Sequence, residues 1–237
     1  GWQRSDTPPA GAKMDVGGNG AAQQALWSLA PGGGRAYYTG GGYGGKAAYP
    51  TTSNNQLYGY AYGSAVAPFL PGSNSGFYFK SIATDLDKTR GGGAVVVFTS
   101  GKATVNGVID ASSAKFESSG ASGGGIWLAA GEFAFGAAAR LDAHGGSGYS
   151  YSGQGAGGGG RIALAEGYTW ADLAAVAASG VVPEGFKDSG TILETEIATD
   201  VKGGIYEGAD KKYDPEPGTL SFVRSAVKPV KLTVTIV

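Results

Sequence analysis

Cysteine is absent, histidine occurs once, and no apolar run approaches the ~18 residues that a membrane-spanning helix needs. The first absence excludes disulfides, thiol catalysis and cysteine metal sites. The second leaves His144 as the only imidazole, which excludes HExxH and every other multi-histidine metal motif. Charge is sparse and balanced, with 18 Lys+Arg against 19 Asp+Glu and no basic cluster longer than Lys211-Lys212. Such a surface has no electrostatic footprint for nucleic acid or anionic lipid, so neither nucleic acid nor membrane insertion is expected. Gly1-Trp2-Gln3-Arg4 lacks the basic-then-apolar pattern of a secretion signal, so the chain reads as a mature form or as part of a larger one.

Glycine is the residue present in excess, at 45 positions, about 19% against a usual ~7%. No G-X-Y period runs through the chain, which excludes collagen. Leu, Ile, Val and Phe total only 45, about 19%, at the edge of the disordered range, but a net charge of -1 lacks the second half of that signature. An ordered fold that uses glycine heavily is the reading that remains.

Three segments align on one pattern: GGGAVVVFTSG (91–101), ASGGGIWLAAG (121–131) and GGGGRIALAEG (157–167). The alignment matches Val96, Ile126 and Ile162, then Phe98, Leu128 and Leu164, and each segment closes on a glycine, Gly101, Gly131 or Gly167. A spacing of two between the apolar positions is the period of a strand. A second motif follows the first two strands, Val108-Ile109-Asp110-Ala111 and Arg140-Leu141-Asp142-Ala143. A repeat of about 30 residues with two or three short strands predicts an all-β chain, a right-handed parallel β-helix or β-solenoid. Stacking would place the matched apolar residues in interior rows, with Trp127 outside or under a loop. The glycines before each strand are expected to make tight corners with positive φ.

The pieces AYGSAVAPFLPGS (61–73), GGGAVVVFTSGKATVNGVIDA (91–111), SGGGIWLAAG (122–131), LDAHGGSG (141–148) and AGGGGRIAL (156–164) carry a resemblance. Together they resemble the glycine-rich parallel β-helix segments of large secreted or surface proteins of Planctomycetes and Verrucomicrobia-type bacteria. These are similar in architecture to autotransporter passengers and pectate-lyase-like helices. The resemblance covers 61–164 and implies a fold and an extracellular or cell-surface location. It carries no catalytic residues. The stretch from Ser112 to Phe116 is poorer in glycine than such segments usually are.

The expected organisation is a Gly/Tyr-rich N-terminal coil or cap over 1–60, β-helix coils over 61–168, a short helix over 169–180, and a C-terminal β-subdomain or cap over 181–237. Thr169 and Gly180 supply the start and stop signals of the helix, whose apolar stripe is Leu173, Val176 and Ala177. In the tail, strands are expected at 191–197, 219–224 and 230–237, the last alternating Val230, Leu232, Val234 and Ile236 with Lys231, Thr233 and Thr235.

Asp110 and Asp142 are equivalent in the repeat and are expected to stack. Paired carboxylates can serve glycoside hydrolysis or calcium, but an Asp beside a glycine-rich turn more simply accepts backbone hydrogen bonds. His144 reads as an ordinary exposed histidine. With Arg140 and Arg161 as the only nearby basic groups, no catalytic cluster is expected, and neither a cofactor nor a metal. The glycine runs lack GK[ST] and open no helix, so they are not phosphate loops. Tyr58, Tyr60 and Tyr62 alternate at strand spacing, as do Tyr149 and Tyr151, and these five are the expected ligand surface for a polysaccharide or matrix glycan. The functional expectation is a non-catalytic extracellular segment of a bacterial surface protein, structural or adhesive, with glycan binding as an accompanying role. The alternative is a polysaccharide lyase or glycoside hydrolase on the same scaffold, using Asp110, Asp142, His144 and Arg140.

Overall fold

The structure, a computed structural model, describes residues 4–5, 25–28, 31–34, 39–48, 59–78, 90–113, 119–148, 155–188, 197–205 and 214–225. Each of the first two repeats contributes three short strands: β4 (Ala94–Phe98), β5 (Lys102–Val105) and β6 (Val108–Asp110), then β7 (Gly125–Ala130), β8 (Glu132–Phe135) and β9 (Arg140–Asp142). The third contributes β10 (Arg161–Glu166), followed by α1 (Trp170–Ser179), β11 (Phe186–Asp188), β12 (Ala198–Asp200) and β13 (Thr219–Ser225). Equivalent strands lie side by side in parallel. The largest sheet has the order β11-β13-β10-β7-β4, a second is β12-β9-β6, and a third is β5-β8. Near the N-terminus β1 (Arg4–Ser5), β2 (Ala25–Ser28) and β3 (Phe77–Tyr78) form an antiparallel sheet.

The central sheet is covered on both faces, which is why β7 and β10 are buried along almost their whole length and read as near-continuous apolar runs. Ile126, Leu128, Ile162, Leu164 and Phe222 point toward the second and third sheets, meeting Leu141, Ile197, Phe133 and Phe135. Each such side chain removed from water contributes about 1.5–3 kcal/mol. Trp127, Ala129, Ala163, Ala165 and Val223 point the other way and are covered by Leu173 and Val176 of α1 with Tyr168. The helix forms where its signals predict. Thr169 Oγ1 accepts from Asp172 N–H, Asp172 accepts from Thr169 N–H, and Gly180 closes the helix at φ 68°. Ala177, expected in the stripe, lies on the exposed side.

The expectation of an all-β parallel β-helix is corrected. The fold is mixed α/β, with parallel and antiparallel sheets and one short helix among the described residues, and its sheets are neither curled nor closed into a solenoid. α1 and the antiparallel β11 intervene between β10 and β13. The glycine runs, expected to turn the chain round corners, do something else. Among the described residues positive φ occurs at Gly63, Gly167, Gly180 and Gly185, none of them in the runs before the strands.

Those runs are hydrogen-bonded to one another in a layer of their own. Gly157 and Gly160 donate to Gly146 O (2.9 Å) and Ala143 O (2.7 Å), whereas Gly158 and Gly159 between them donate to Gly41 O (2.9 Å) and Glu216 O (3.0 Å). Likewise Gly120 and Gly123 donate to Gly155 O (2.9 Å) and Gly158 O (3.1 Å). Donors three apart therefore face the same neighbour, and the intervening donors face others. This is the three-residue turn of a polyproline-II-like chain, which can hold several neighbours where a β-strand holds two. Such close approach needs glycine. A Cβ on Gly123 would collide with Ala143 O, the acceptor of the Gly160 N–H. Where a little more room exists, small polar residues replace glycine: Ser122 Oγ accepts from Ser73 N–H at 2.7 Å.

The register also differs by one residue in the first repeat. Val95 and Val97, not Val96 and Phe98, stand opposite Ile126 and Leu128. Phe98 instead packs edge-on against Trp127 on the helix side. Between the paired Phe98 and Ala129 and the paired Lys102 and Glu132 lie three residues in the first repeat and two in the second, so an alignment anchored on the closing glycines Gly101 and Gly131 slips by one in the strand before them. Trp127 is buried beneath α1 and not outside. The expected strand at 219–224 is β13, joined to β10. The other two tail strands, 191–197 apart from Ile197 and 230–237, lie outside the described residues.

Candidate functional site

Two places collect chemistry-bearing side chains. The first is the second sheet, where Asp110, Asp142 and Asp200 stand in register on three adjacent strands. Each carboxylate already has a task. Asp110 Oδ1 accepts from Ser112 N–H at 2.8 Å, the turn role expected of it, and Asp200 Oδ1 accepts from Lys202 N–H at 2.9 Å in the same way. Both oxygens of Asp142 accept from Arg140 Nε (2.8 and 2.7 Å), and Arg140 Nη2 reaches Asp200 at 3.8 Å. Burial pushes the Asp110 carboxyl up, but the Ser112 hydrogen bonds, His144 and Arg140 together hold it below the usual carboxylate range.

His144 borders a cavity of about 270 Å³ with Ser113, Asp200 and Lys202, its Nδ1 lying 3.2 Å from Gly145 O. It is half-buried, where the sequence suggested exposure. Among the described residues no cluster of three or more His, Asp or Glu is arranged for a metal ion. Nor is any described helix long and apolar enough to cross a membrane.

The second place is a groove of about 330 Å³ beyond the carboxyl ends of β4, β7 and β10, lined by Phe98, Thr99, Gly131, Tyr168, Thr169 and Trp170 among others. Three parallel strands end at the same level there, so their loops are neighbours, the usual place for a site on a parallel sheet. Trp170, the first residue of α1, is 67% exposed. Its ring stands edge-on to Phe98 (5.7 Å, 87°), and Phe98 stands edge-on to the buried Trp127 (5.0 Å, 86°). Tyr168 is buried against Phe186, its hydroxyl has no partner, and burial pushes its ionisation up to about 12.

Of the five tyrosines expected to form a ligand surface, Tyr60 and Tyr62 are among the described residues. Tyr58, Tyr149 and Tyr151 lie outside the described residues. Tyr60 is exposed. Tyr62 turns into the glycine layer, where its hydroxyl donates to Pro71 O (2.7 Å), accepts from Ser73 Oγ (3.0 Å), and its ring meets Tyr43 at 4.8 Å. Its carbonyl accepts from Arg161 Nε at 3.0 Å. Arg161 is itself buried, donates also to Thr219 Oγ1 (2.9 Å), and lies over the Tyr43 ring. Burial draws its basicity down. It ties the glycine layer to the first residues of β10 and β13, a structural role.

Sequence reasoning did not single out Phe98 and Trp170 as a site. The available signal was a tryptophan at the first helical position, where its side chain points away from the apolar stripe. No family model matches the chain, and neither a curated protein nor a solved structure does.

Proposed function

We propose that the chain is a rigid, non-catalytic segment of a bacterial surface protein, structural or adhesive in role and extracellular in location. The observation that carries this reading is the glycine layer. Each extended segment is hydrogen-bonded to several others, and side chains are excluded from between them, so the layer has little freedom to deform. The surroundings of the aspartate row agree with it: those carboxylates hold turns and an arginine in place, and a catalytic pair would need one of them released. The composition, poor in charge and without cysteine, suits an external scaffold.

The test is to incubate the purified chain with plant, algal and microbial polysaccharides and measure both reducing ends and unsaturated products. No product is expected. Product formation that disappears in Asp142→Asn or His144→Ala would overturn the reading and place a carbohydrate-active enzyme at the aspartate row.

A further inference from the structure

We propose that the groove beyond β4, β7 and β10 binds a saccharide ring, with the Trp170 indole as its stacking platform. This deepens the adhesive reading above and rests on it. Three observations converge. The indole is largely exposed, yet it is held in one orientation by an edge-to-face series running from Trp127 through Phe98 to Trp170, which leads from the core to the surface. A large aromatic face presented to water with its orientation set by packing is ready to receive a flat apolar surface without an ordering cost.

The rim is hydroxyl-rich and not charged. Thr99 and Thr169 line the groove, and no basic side chain does, which disfavours an anionic ligand. Asp172, whose Oδ2 accepts from the Thr169 N–H (2.9 Å) and hydroxyl (2.7 Å), is engaged in the helix cap and does not line the groove. Tyr168, 6% exposed, also lines the groove, with its hydroxyl buried away from solvent. A sugar ring matches such a groove, with C–H faces for the indole and a perimeter of hydroxyls for the rim. The volume, about 330 Å³, falls at the small end of the range of ~300–1,000 Å³ for small-molecule sites.

The experiment is a fluorescence titration of the full chain with tetramers of β-1,4-glucan, β-1,4-mannan and β-1,4-galactan, with 1-anilinonaphthalene-8-sulfonate as an apolar comparator. At least one tetramer is expected to bind and to shift the tryptophan emission. Trp170→Ala should weaken that binding about tenfold or more, and Trp170→Phe should retain most of it. Because Trp170 is exposed, Trp170→Ala should keep the wild-type circular dichroism and melting temperature, so that loss of binding is not loss of fold. Binding of none of the tetramers at millimolar concentration, binding unchanged in Trp170→Ala, or capture of the apolar dye that no tetramer displaces would each overturn the proposal. Products in the polysaccharide assay would instead overturn the non-catalytic reading, so the two failures are distinguishable.

Discussion

Replacing Gly123 by alanine adds a single methyl group to the chain, and the structure places it against the backbone of a neighbouring segment. Gly123 is buried, donates to Gly158 O, and faces the Ala143 carbonyl that accepts from Gly160 at 2.7 Å. The methyl must push that carbonyl aside, an overpacking cost of about 1–3 kcal/mol. If the Gly160 N–H then loses its partner while still buried, about 1–3 kcal/mol more is lost. Against this, alanine restricts the unfolded chain and returns about 0.4–1 kcal/mol. The net loss is about 1–6 kcal/mol, set against the ~5–15 kcal/mol by which such domains are stable. Gly93 is the control: it is exposed, a Cβ there meets nothing within 4 Å, and its φ is not positive. Gly93→Ala should therefore stabilise by about 0.4–1 kcal/mol. Urea unfolding followed by circular dichroism reads both, with the midpoint of Gly123→Ala falling by about 1 M or more at unchanged slope. A Gly123→Ala midpoint equal to wild type, or equal damage from Gly93→Ala, would refute the claim that close approach is what the glycines supply.

Arg161→Ala should lower stability by about 3–5 kcal/mol, since it removes hydrogen bonds from a charged donor to Tyr62 O and Thr219 Oγ1 and a cation–π contact with Tyr43. Arg161→Lys should recover only part of this, because an ammonium lacks the planar fork that reaches both acceptors, and thermal melts of the three proteins give the order. Asp110 has a folded ionisation below its unfolded one, so the stability it contributes is fully present above about pH 4 and fades as pH falls through the lower folded value. Asp110→Asn should flatten the acid limb of a stability-against-pH curve; an unchanged limb would contradict the assigned hydrogen bond from the Ser112 N–H.

The helix was legible to the residue because Thr169, Asp172 and Gly180 act locally and need no partner from elsewhere in the chain. The repeat was legible from its alternation, and with it the stacking of Asp110 on Asp142. Asp200 was not, because Thr199 stands in the row where Ile109 and Leu141 mark the motif. The register of β4 depended on the length of a corner, which apolar spacing does not report. The largest misreading concerned the glycines. A run of glycine looks the same whether it supplies positive φ to a turn or a bare backbone to a neighbour, and here the neighbour lies in a different repeat, as Gly123 and Gly158 show. That difference separates an open mixed α/β fold with a glycine layer from the closed solenoid the repeat suggested. The groove at Trp170 was illegible for a related reason: Phe98 and Trp170 are far apart in sequence and meet only because β4, β7 and β10 end at one level.

Amide hydrogen exchange across the glycine layer tests the account most directly. Glycines in ordinary loops exchange rapidly, whereas amides held between segments open only with larger unfolding events. The N–H groups of Gly120, Gly123, Gly157, Gly158, Gly159 and Gly160 are expected to be protected to the same extent as those of β7 and β10. Rapid exchange at these six positions, with β7 and β10 still protected, would contradict the glycine layer as the rigid element of this protein.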